Sequence, residues 1–313
     1  MRRPGKDASQ RKRQALRHVP SGRRASPPRD EKVILVLVDA VGYQAALESF
    51  GTIESLVEFG LARRWCMRSV LPSLSAPVYE TLHTGTPPHI HGIRSNDRVV
   101  LSKGPHVFGL LRQAGRPTGA VAHYFFSELY NKAPYEPLRD MEVDDPALDI
   151  RHGRFYSEQG YSKANLNLPS NLDLFTRATL MIRRDRPDYL LIHSFAPDSV
   201  GHIYGADSKE YRDEIWSIDN AMAEVIHLWR EEGYRILVTA DHGQTPDGRH
   251  GGTTDVERLV PFYDIGNPIG GVAEGIVDQL SVAPTILSIL GLRPPPEMRA
   301  APLAGVFAAS ERS

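Results

Sequence analysis

Short apolar runs that alternate with helical patterns constrain the fold of this sequence more than any other feature. The run 33–38 is continuous and rich in β-branched residues, as in a strand buried on both faces. Similar runs cover 188–193 and 235–240. Each follows apolar residues at helical spacing, which are Leu172, Phe175, Ala178 and Ile182 before the first run and Tyr211, Ile215, Ile218, Met222, Val225, Ile226 and Trp229 before the second. Repeated helix and strand predict an α/β fold with a doubly wound, mostly parallel central sheet and helices on both faces.

The body of the chain, 33–313, is predicted to form one catalytic domain. The sequence has 313 residues, of which 41% are apolar and 24% charged, so it can bury a large core. The range 128–170 is rich in Pro, Asp, Tyr and Asn, and we expect a small irregular cap insertion there that could shape a substrate pocket. No apolar run approaches the roughly 18 residues that indicate a membrane span.

The first 32 residues form a basic segment that we expect to be disordered. They hold eleven Lys and Arg against three Asp and Glu, a formal charge of +8 in a chain whose total is −1. The segment lacks the apolar core of a secretory signal, so we expect a cytoplasmic protein, although an Arg-rich start is also typical of transit peptides. Contact with nucleic acid or an anionic surface is a second reading of this charge. Cys66 is the only cysteine, so no intrachain disulfide can form.

Metal-ligating side chains cluster in the second half of the sequence. Asp198 and His202 are one helical turn apart and can face the same way. Asp241 and His242 directly follow the apolar run 235–240, and His250 comes shortly after them. The carboxyl edge of a parallel sheet is where such folds bind ligands, and Asp39 reaches that edge by following the run 33–38. A mixed Asp and His set favours Zn²⁺ over Mg²⁺ and leaves Mn²⁺ open.

Ser75 is the candidate nucleophile. It lies two residues before Pro77, which suits the first turn of a helix predicted from Ala76 toward His83 that stops near Gly85. A serine at a helix start feels the positive end of the helix dipole, and a metal ion at its oxygen would favour the alkoxide further. Taken alone, a serine two residues before a proline is better explained as an ordinary helix cap.

The segment around Ser75 resembles the nucleophile segment of the alkaline phosphatase superfamily, and most of all its nucleotide pyrophosphatase/phosphodiesterase branch. The resemblance covers residues from about 33 to 292 and includes the stretches 75–85, 197–202, 239–243 and 250–252. It implies two zinc ions, one held by Asp39, Ser75, Asp241 and His242, the other by Asp198, His202 and His250. It further implies hydrolysis of a small-molecule phosphate ester through a phosphoserine on Ser75.

Three features of the sequence help to decide which branch of the superfamily it resembles most. Tyr79 replaces the Arg that formylglycine sulfatases carry, which disfavours a sulfatase. Asn96, twenty-one residues after Ser75, matches an Asn that contacts a phosphoryl oxygen in the phosphodiesterase branch. The seven residues between His242 and His250 are fewer than in most nucleotide pyrophosphatases and are similar to the spacing in phosphoethanolamine transferases. The expected activity is therefore a phosphodiesterase. The alternatives are a phosphomonoesterase, a phosphonate hydrolase, a phosphotransferase and a non-catalytic binding protein.

Overall fold

The computed structural model describes residues 32–158 and 166–305. The predicted basic tail lies outside these residues, except that Lys32 is the first residue of a strand. Nine strands of the described chain form one sheet, in the chain order β1 Lys32–Val38, β2 Ala62–Arg68, β3 Thr118–His123, β4 Glu142–Asp144, β5 His152–Tyr156, β6 Tyr189–Ser194, β7 Tyr234–Thr239, β8 Leu259–Ile265 and β9 Gly271–Asp278. Across the sheet the order is β4-β5-β3-β6-β1-β7-β8-β2-β9.

Helices fill the connections between these strands. They are α1 Tyr43–Ser49, α2 Gly51–Glu58, α3 Ser75–Thr84, α4 Pro88–His91, α5 Val107–Gln113, α6 Phe125–Tyr130, α7 Pro137–Asp140, α8 Asn171–Asp185, α9 Ala196–Tyr204, α10 Lys209–Ala223, α11 Ile226–Glu231, α12 Asp255–Arg258 and α13 Val282–Ile289. None of the helices in the described ranges is both long enough and apolar enough to cross a bilayer.

The centre of the sheet is parallel and buried. The neighbouring strands β5, β3, β6, β1 and β7 all run in the same direction, and β8 returns antiparallel to β7. In register, Leu35 of β1 lies between Leu191 of β6 and Leu237 of β7, and all three side chains are fully buried. Apolar side chains on both faces of a strand require helices on both sides. The predicted mostly parallel α/β fold is confirmed.

One predicted helix is divided into two in the structure. The apolar stripe from Tyr211 to Trp229 is divided between α10 and α11, which are separated by residues 224 and 225. Ser208 caps α10 by accepting a hydrogen bond from the N–H of Tyr211 at 3.1 Å. The stripe stays continuous because both helices pack their apolar side chains into the same core.

The range 128–170 contains regular structure where we expected an irregular cap. Strand β5 pairs in parallel with β3, and β4 pairs antiparallel with β5, so this part of the range extends the sheet. Strand β5 reads His-Gly-Arg-Phe-Tyr and lacks an apolar run, which is why the pattern did not indicate a strand. Residues 159–165 of the predicted insertion lie outside the described chain.

Candidate metal centre

The candidate ligands meet at the carboxyl edge of three adjacent parallel strands. Asp39 follows β1, and Asp241 and His242 follow β7. Strand β6 leads into α9, which carries Asp198 and His202 one turn apart. Because neighbouring parallel strands end at one edge, residues far apart in sequence converge there.

One group of ligands surrounds His242. Its Nε2 lies 3.6 Å from Asp39 Oδ1, 3.2 Å from Asp241 Oδ2 and 3.5 Å from Ser75 Oγ. All four side chains are at least 98% buried. Ser75 is the first residue of α3 and its side chain does not cap the helix, since Leu74 occupies the cap position. The hydroxyl of Ser75 is therefore directed at the metal ligands rather than at the backbone of its own helix.

The second group consists of Asp198, His202 and His250. The Nε2 atoms of both histidines lie 3.4 Å from the Asp198 carboxylate and 3.2 Å from each other. The rings of His250 and His242 stack with centroids 3.8 Å apart, so the two groups are contiguous.

The short gap between His242 and His250 folds as a tight turn. The N–H of Thr245 donates to the carbonyl of Arg249 at 2.8 Å, and the N–H of Gly248 donates to the carbonyl of Thr245 at 2.9 Å. Gly248 has φ +75°, and a Cβ there would lie 2.7 Å from the Gly201 carbonyl oxygen, so glycine suits this position. Seven residues are thus enough to return His250 to the ring of His242.

The three histidines share one hydrogen-bonding arrangement. Each has its Nδ1 next to a backbone carbonyl, namely that of Gly248 for His202, Gly243 for His242 and Ser73 for His250, at 2.7, 3.1 and 3.2 Å. A carbonyl accepts only, so Nδ1 carries the hydrogen and the lone pair of Nε2 faces the group of ligands. This is the arrangement that metal-bound histidines adopt.

The carboxylates give an independent test of whether metal ions fit. Asp39 Oδ1, Asp198 Oδ1 and Asp241 Oδ2 are buried and have no hydrogen-bond partner among the described residues. Buried carboxylate oxygens are costly unless a donor or a cation satisfies them. A tetrahedral ion with bonds of about 2.0–2.1 Å holds its ligand atoms roughly 3.4 Å apart, which matches the separations of 3.2–3.6 Å around His242 and Asp198. The residues fit two divalent ions.

The pKa values of Asp39 and Asp241 are raised, as expected for buried acid groups that lie close together at a cation site. Burial and the charges of Asp241 and Asp198 raise the pKa of Asp39 well above its usual value. Burial raises the pKa of Asp241 to about 7. Burial also lowers the pKa of His242 and of His250 to about 4, so both imidazoles are neutral at pH 7 and available as ligands.

Tyr79 and His193 support Asp39 and were not predicted as site residues. The hydroxyl of Tyr79 donates to Asp39 Oδ2, and His193 Nε2 lies 3.1 Å from the same oxygen and 2.9 Å from the Tyr79 hydroxyl. The hydroxyl of Tyr156 in turn lies 3.1 Å from His193 Nδ1. These contacts occupy Oδ2 and leave Oδ1 directed at His242. The sequence offered one signal, which is that Tyr79 lies one helical turn after Ser75.

Asn96 lies beside the nucleophile. Its Oδ1 accepts a hydrogen bond from the N–H of Ala76 at 2.9 Å, and its side chain lines a cavity of about 250 Å³ together with Ser75, Asp198, His202 and His250. The N–H that follows Ser75 is therefore already bonded to Asn96. The rings of Tyr124 and Phe195 line the cavity, whereas Phe155 is buried in the core and Tyr156 bonds to His193.

Known proteins share this sequence pattern and fold. The family model for type I phosphodiesterase / nucleotide pyrophosphatase matches residues 33–265. The catalytic subunit of human GPI ethanolamine phosphate transferase 2 is 25% identical over 284 residues, which cover 85% of this chain and 27% of that protein. Mouse ectonucleotide pyrophosphatase/phosphodiesterase family member 3 is 27% identical over 255 residues, 76% of this chain and 28% of that protein. The chain therefore spans about a quarter of the length of these relatives.

Solved structures agree on the fold. Murine ectonucleotide pyrophosphatase/phosphodiesterase 5 superimposes with a TM-score of 0.65 at 12% identity, over 85% of this chain and 96% of that one. A sulfatase-type structure from Bacteroides fragilis matches with a TM-score of 0.58 at 14% identity, over 86% of this chain and 76% of that one. Since the family model covers well over half of the sequence, the chain belongs to the type I phosphodiesterase/nucleotide pyrophosphatase family of the alkaline phosphatase superfamily.

Proposed function

We propose that the protein is a two-metal phosphodiesterase that cleaves a phosphate diester through a phosphoserine on Ser75. The observation that carries this proposal is the convergence of Ser75 with six Asp and His side chains. Three of them present buried carboxylate oxygens that have no hydrogen-bond donor in the part of the chain that the structure describes. Family membership supports the same reaction class. Zn²⁺ is the proposed metal because both groups combine imidazole nitrogen with carboxylate oxygen.

Each of the two proposed ions would be held by its own group of residues. Asp39, Ser75, Asp241 and His242 would hold one ion, and Asp198, His202 and His250 the other. Bound there, divalent ions supply Lewis-acid stabilisation of the oxygens that gain charge and lower the pKa of a coordinated hydroxyl.

Ser75 supplies the nucleophile. Its Oγ forms a bond to phosphorus while the bond from phosphorus to the departing oxygen breaks. The serine proton is lost to solvent, and the departing oxygen takes up a proton from solvent and leaves as the alcohol. Water then attacks the phosphoserine, which releases a phosphate monoester and regenerates the Ser75 hydroxyl. Burial of Ser75 at the start of α3 limits the rotation of its side chain and holds Oγ at the cavity.

Asn96 positions the phosphoryl group in this proposal. The N–H of Ala76 needs an acceptor, so the Asn96 oxygen faces Ala76 and the amide NH₂ is directed elsewhere. That NH₂ is the donor we assign to a nonbridging phosphoryl oxygen, where charge accumulates during transfer. Among the described residues that line the cavity there is neither Arg nor Lys, whereas the additional charge of a phosphate monoester calls for such a cation. A diester is therefore the preferred substrate.

The test compares bis(p-nitrophenyl) phosphate with p-nitrophenyl phosphate after removal and return of metal. We expect the chelated protein to be inactive and Zn²⁺ to restore activity. The value of kcat/KM should be roughly tenfold or more higher for the diester, and the Asn96→Ala variant should lose roughly 10²-fold on it. Faster hydrolysis of the monoester would instead make the protein a monoesterase. Absence of turnover after zinc loading would leave the binding-protein alternative.

Transfer to an alcohol instead of water is a second candidate, because the human relative that matches 85% of this chain is named as an ethanolamine phosphate transferase. The same assay distinguishes the two when glycerol is added. A transferase forms a glycerol phosphodiester in proportion to glycerol, whereas a hydrolase forms the phosphate monoester throughout.

A further inference from the structure

A buried glutamine connects the segment before Ser75 with the end of β7. Gln279 follows β9, the strand at one edge of the described sheet, and begins the single 3₁₀ turn Gln279–Ser281 that leads into α13. Its side chain is fully buried, and it is not among the residues that line the cavity beside Ser75. The chemistry proposed above gives this residue no role.

The amide group of Gln279 forms hydrogen bonds in two directions. Its Oε1 accepts a hydrogen bond from the N–H of Val70 at 3.2 Å. Its Nε2 donates to the carbonyl of Asp241 at 2.9 Å and to the carbonyl of Ala240 at 3.3 Å. Because the N–H of Val70 needs an acceptor and the two carbonyls need donors, the orientation of the amide is fixed. A side chain that only accepts or only donates could not make the same three bonds.

These bonds hold the connection 69–74, which carries the chain from β2 to Ser75. The last part of this connection is held at the second ligand group, because the carbonyl of Ser73 lies 3.2 Å from His250 Nδ1. The first part is held at the end of β7 by Gln279. The nucleophile thus follows a connection that is bonded at both of its ends to loops carrying candidate metal ligands.

We propose that Gln279 is a positioning residue that holds the Ser75 hydroxyl in line with the phosphorus atom by fixing the connection before it to the end of β7. This inference rests on the proposed phosphodiesterase activity and adds a residue to it. Asp241 has other anchors, because its Oδ1 accepts hydrogen bonds from the N–H groups of Ala40 and His242 at 3.0 and 2.9 Å. Loss of the amide should therefore leave Asp241 in place and release the nucleophile. A displacement of reacting atoms by about 1 Å can lower a rate roughly 10²-fold.

The test measures catalysis and metal binding separately in Gln279→Met, which keeps the size of the side chain and removes its amide. With the zinc-loaded full chain and bis(p-nitrophenyl) phosphate, we expect kcat to fall roughly tenfold or more while KM changes by less than about threefold. Titration of the metal-free chain with zinc against a chelating indicator should show that each affinity changes by less than about tenfold. Gln279→Asn keeps an amide but is one methylene too short to reach both sides, so it should also lower kcat and provides a milder substitution.

Asn267→Leu is the matched control for a purely structural effect. Asn267 is also a buried amide with three bonds, since it accepts from the N–H of Ile269 at 2.9 Å and donates to Asp264 Oδ2 at 2.9 Å and to the Ala304 carbonyl at 3.3 Å. It follows β8, which runs antiparallel to β7, so it lies at the opposite edge of the sheet from the metal ligands. We expect Asn267→Leu and Gln279→Met both to lower the midpoint of thermal unfolding, and only the second to lower kcat.

Three results would overturn the positioning role of Gln279. The first is a wild-type kcat in both Gln279 variants, and the second is an equal loss of kcat in Asn267→Leu. The third is a loss of zinc affinity as large as the loss of kcat, which would make the glutamine a support for the metal ligands instead. Absence of turnover in the wild-type protein would count against the proposed phosphodiesterase activity itself, and this inference would fail with it.

Discussion

Asp39 shows how a single buried carboxylate is prepared to bind a cation. Its Oδ2 accepts a hydrogen bond from the Tyr79 hydroxyl and lies 3.1 Å from His193 Nε2. Its Oδ1 has no hydrogen-bond donor within residues 32–158 and 166–305 and lies 3.6 Å from His242 Nε2. Partners that fix one oxygen determine which oxygen a metal ion meets, and they commonly affect metal affinity by 10–100-fold. The supporting residues therefore belong to the candidate metal centre although they are not among the residues that line the cavity.

We predict that Tyr79→Phe lowers the affinity for one of the two proposed metal ions and leaves the affinity for the other nearly unchanged. The ring keeps its stacking on Phe126, whose centroid lies 4.5 Å away, so the change removes mainly the hydroxyl that fixes Asp39. Titration with zinc against a chelating indicator should show one affinity that is roughly tenfold or more lower. Tyr189→Phe is the matched control, because that buried hydroxyl bonds to His83 at 2.9 Å, away from the ligands. Equal affinities in Tyr79→Phe and wild type would contradict this role.

At the scale of elements, α3 carries both the nucleophile and a buried histidine. All ten residues of this helix are buried, and it ends at Gly85, whose φ of +59° is left-handed. His83 in its last turn has one ring nitrogen 2.9 Å from the Tyr79 carbonyl and the other 2.9 Å from the Tyr189 hydroxyl. Burial lowers the pKa of His83 to about 3, so the imidazole stays neutral inside the fold.

This histidine makes stability depend on pH. Between about pH 6.5 and pH 3 the unfolded chain binds a proton at His83 that the folded chain does not bind, so stability falls as pH falls. From pH 7 to pH 5 the loss is about 2 kcal/mol. In urea unfolding with chelator present, His83→Gln should lose stability at pH 7 but show a decrease toward pH 5 that is smaller by about this amount. Parallel pH profiles for the two proteins would exclude His83 as a source of the dependence.

The elements that could be predicted from sequence are those with long apolar patterns. Strands β1, β6 and β7 were each located to within one or two residues because their side chains are buried on both faces, and α3 followed from Pro77 and Gly85. Strand β5 was missed because its place in the sheet depends on pairing with β3 and not on an apolar run. The break between α10 and α11 was missed because the apolar spacing continues across it.

The candidate site likewise contains some residues that could be predicted from the sequence and others that could not. The seven proposed metal ligands and Asn96 could be named from local spacing and family resemblance, and the structure brings them close together. Tyr156, His193 and the bond between His123 and Glu158 could not, because these contacts join separate strands and loops and depend on side-chain direction. Spacing along the chain carries no information about such contacts.

For the molecule as a whole, the order of strands in the sheet determines where the candidate site residues meet. Strands β6, β1 and β7 are neighbours, so their carboxyl ends bring Asp39, Asp198 and Asp241 together, and α3 adds Ser75 from the connection after β2. Acid groups this close repel one another unless they are protonated or bind cations. In the proposed mechanism, metal ions bound here would also hold the Ser75 hydroxyl in place for its covalent step.

The most direct measurement is acid quenching of the zinc-loaded protein during turnover of bis(p-nitrophenyl) phosphate, followed by peptide mass spectrometry. We predict a p-nitrophenyl phosphate ester on Ser75 in the peptide that contains this residue, since only one p-nitrophenol leaves when the serine attacks. Ser75→Ala should show no such adduct and should lose hydrolysis while still folding. Wild-type rates of metal-dependent hydrolysis in Ser75→Ala, or a phosphoryl group trapped on a different residue, would contradict the account.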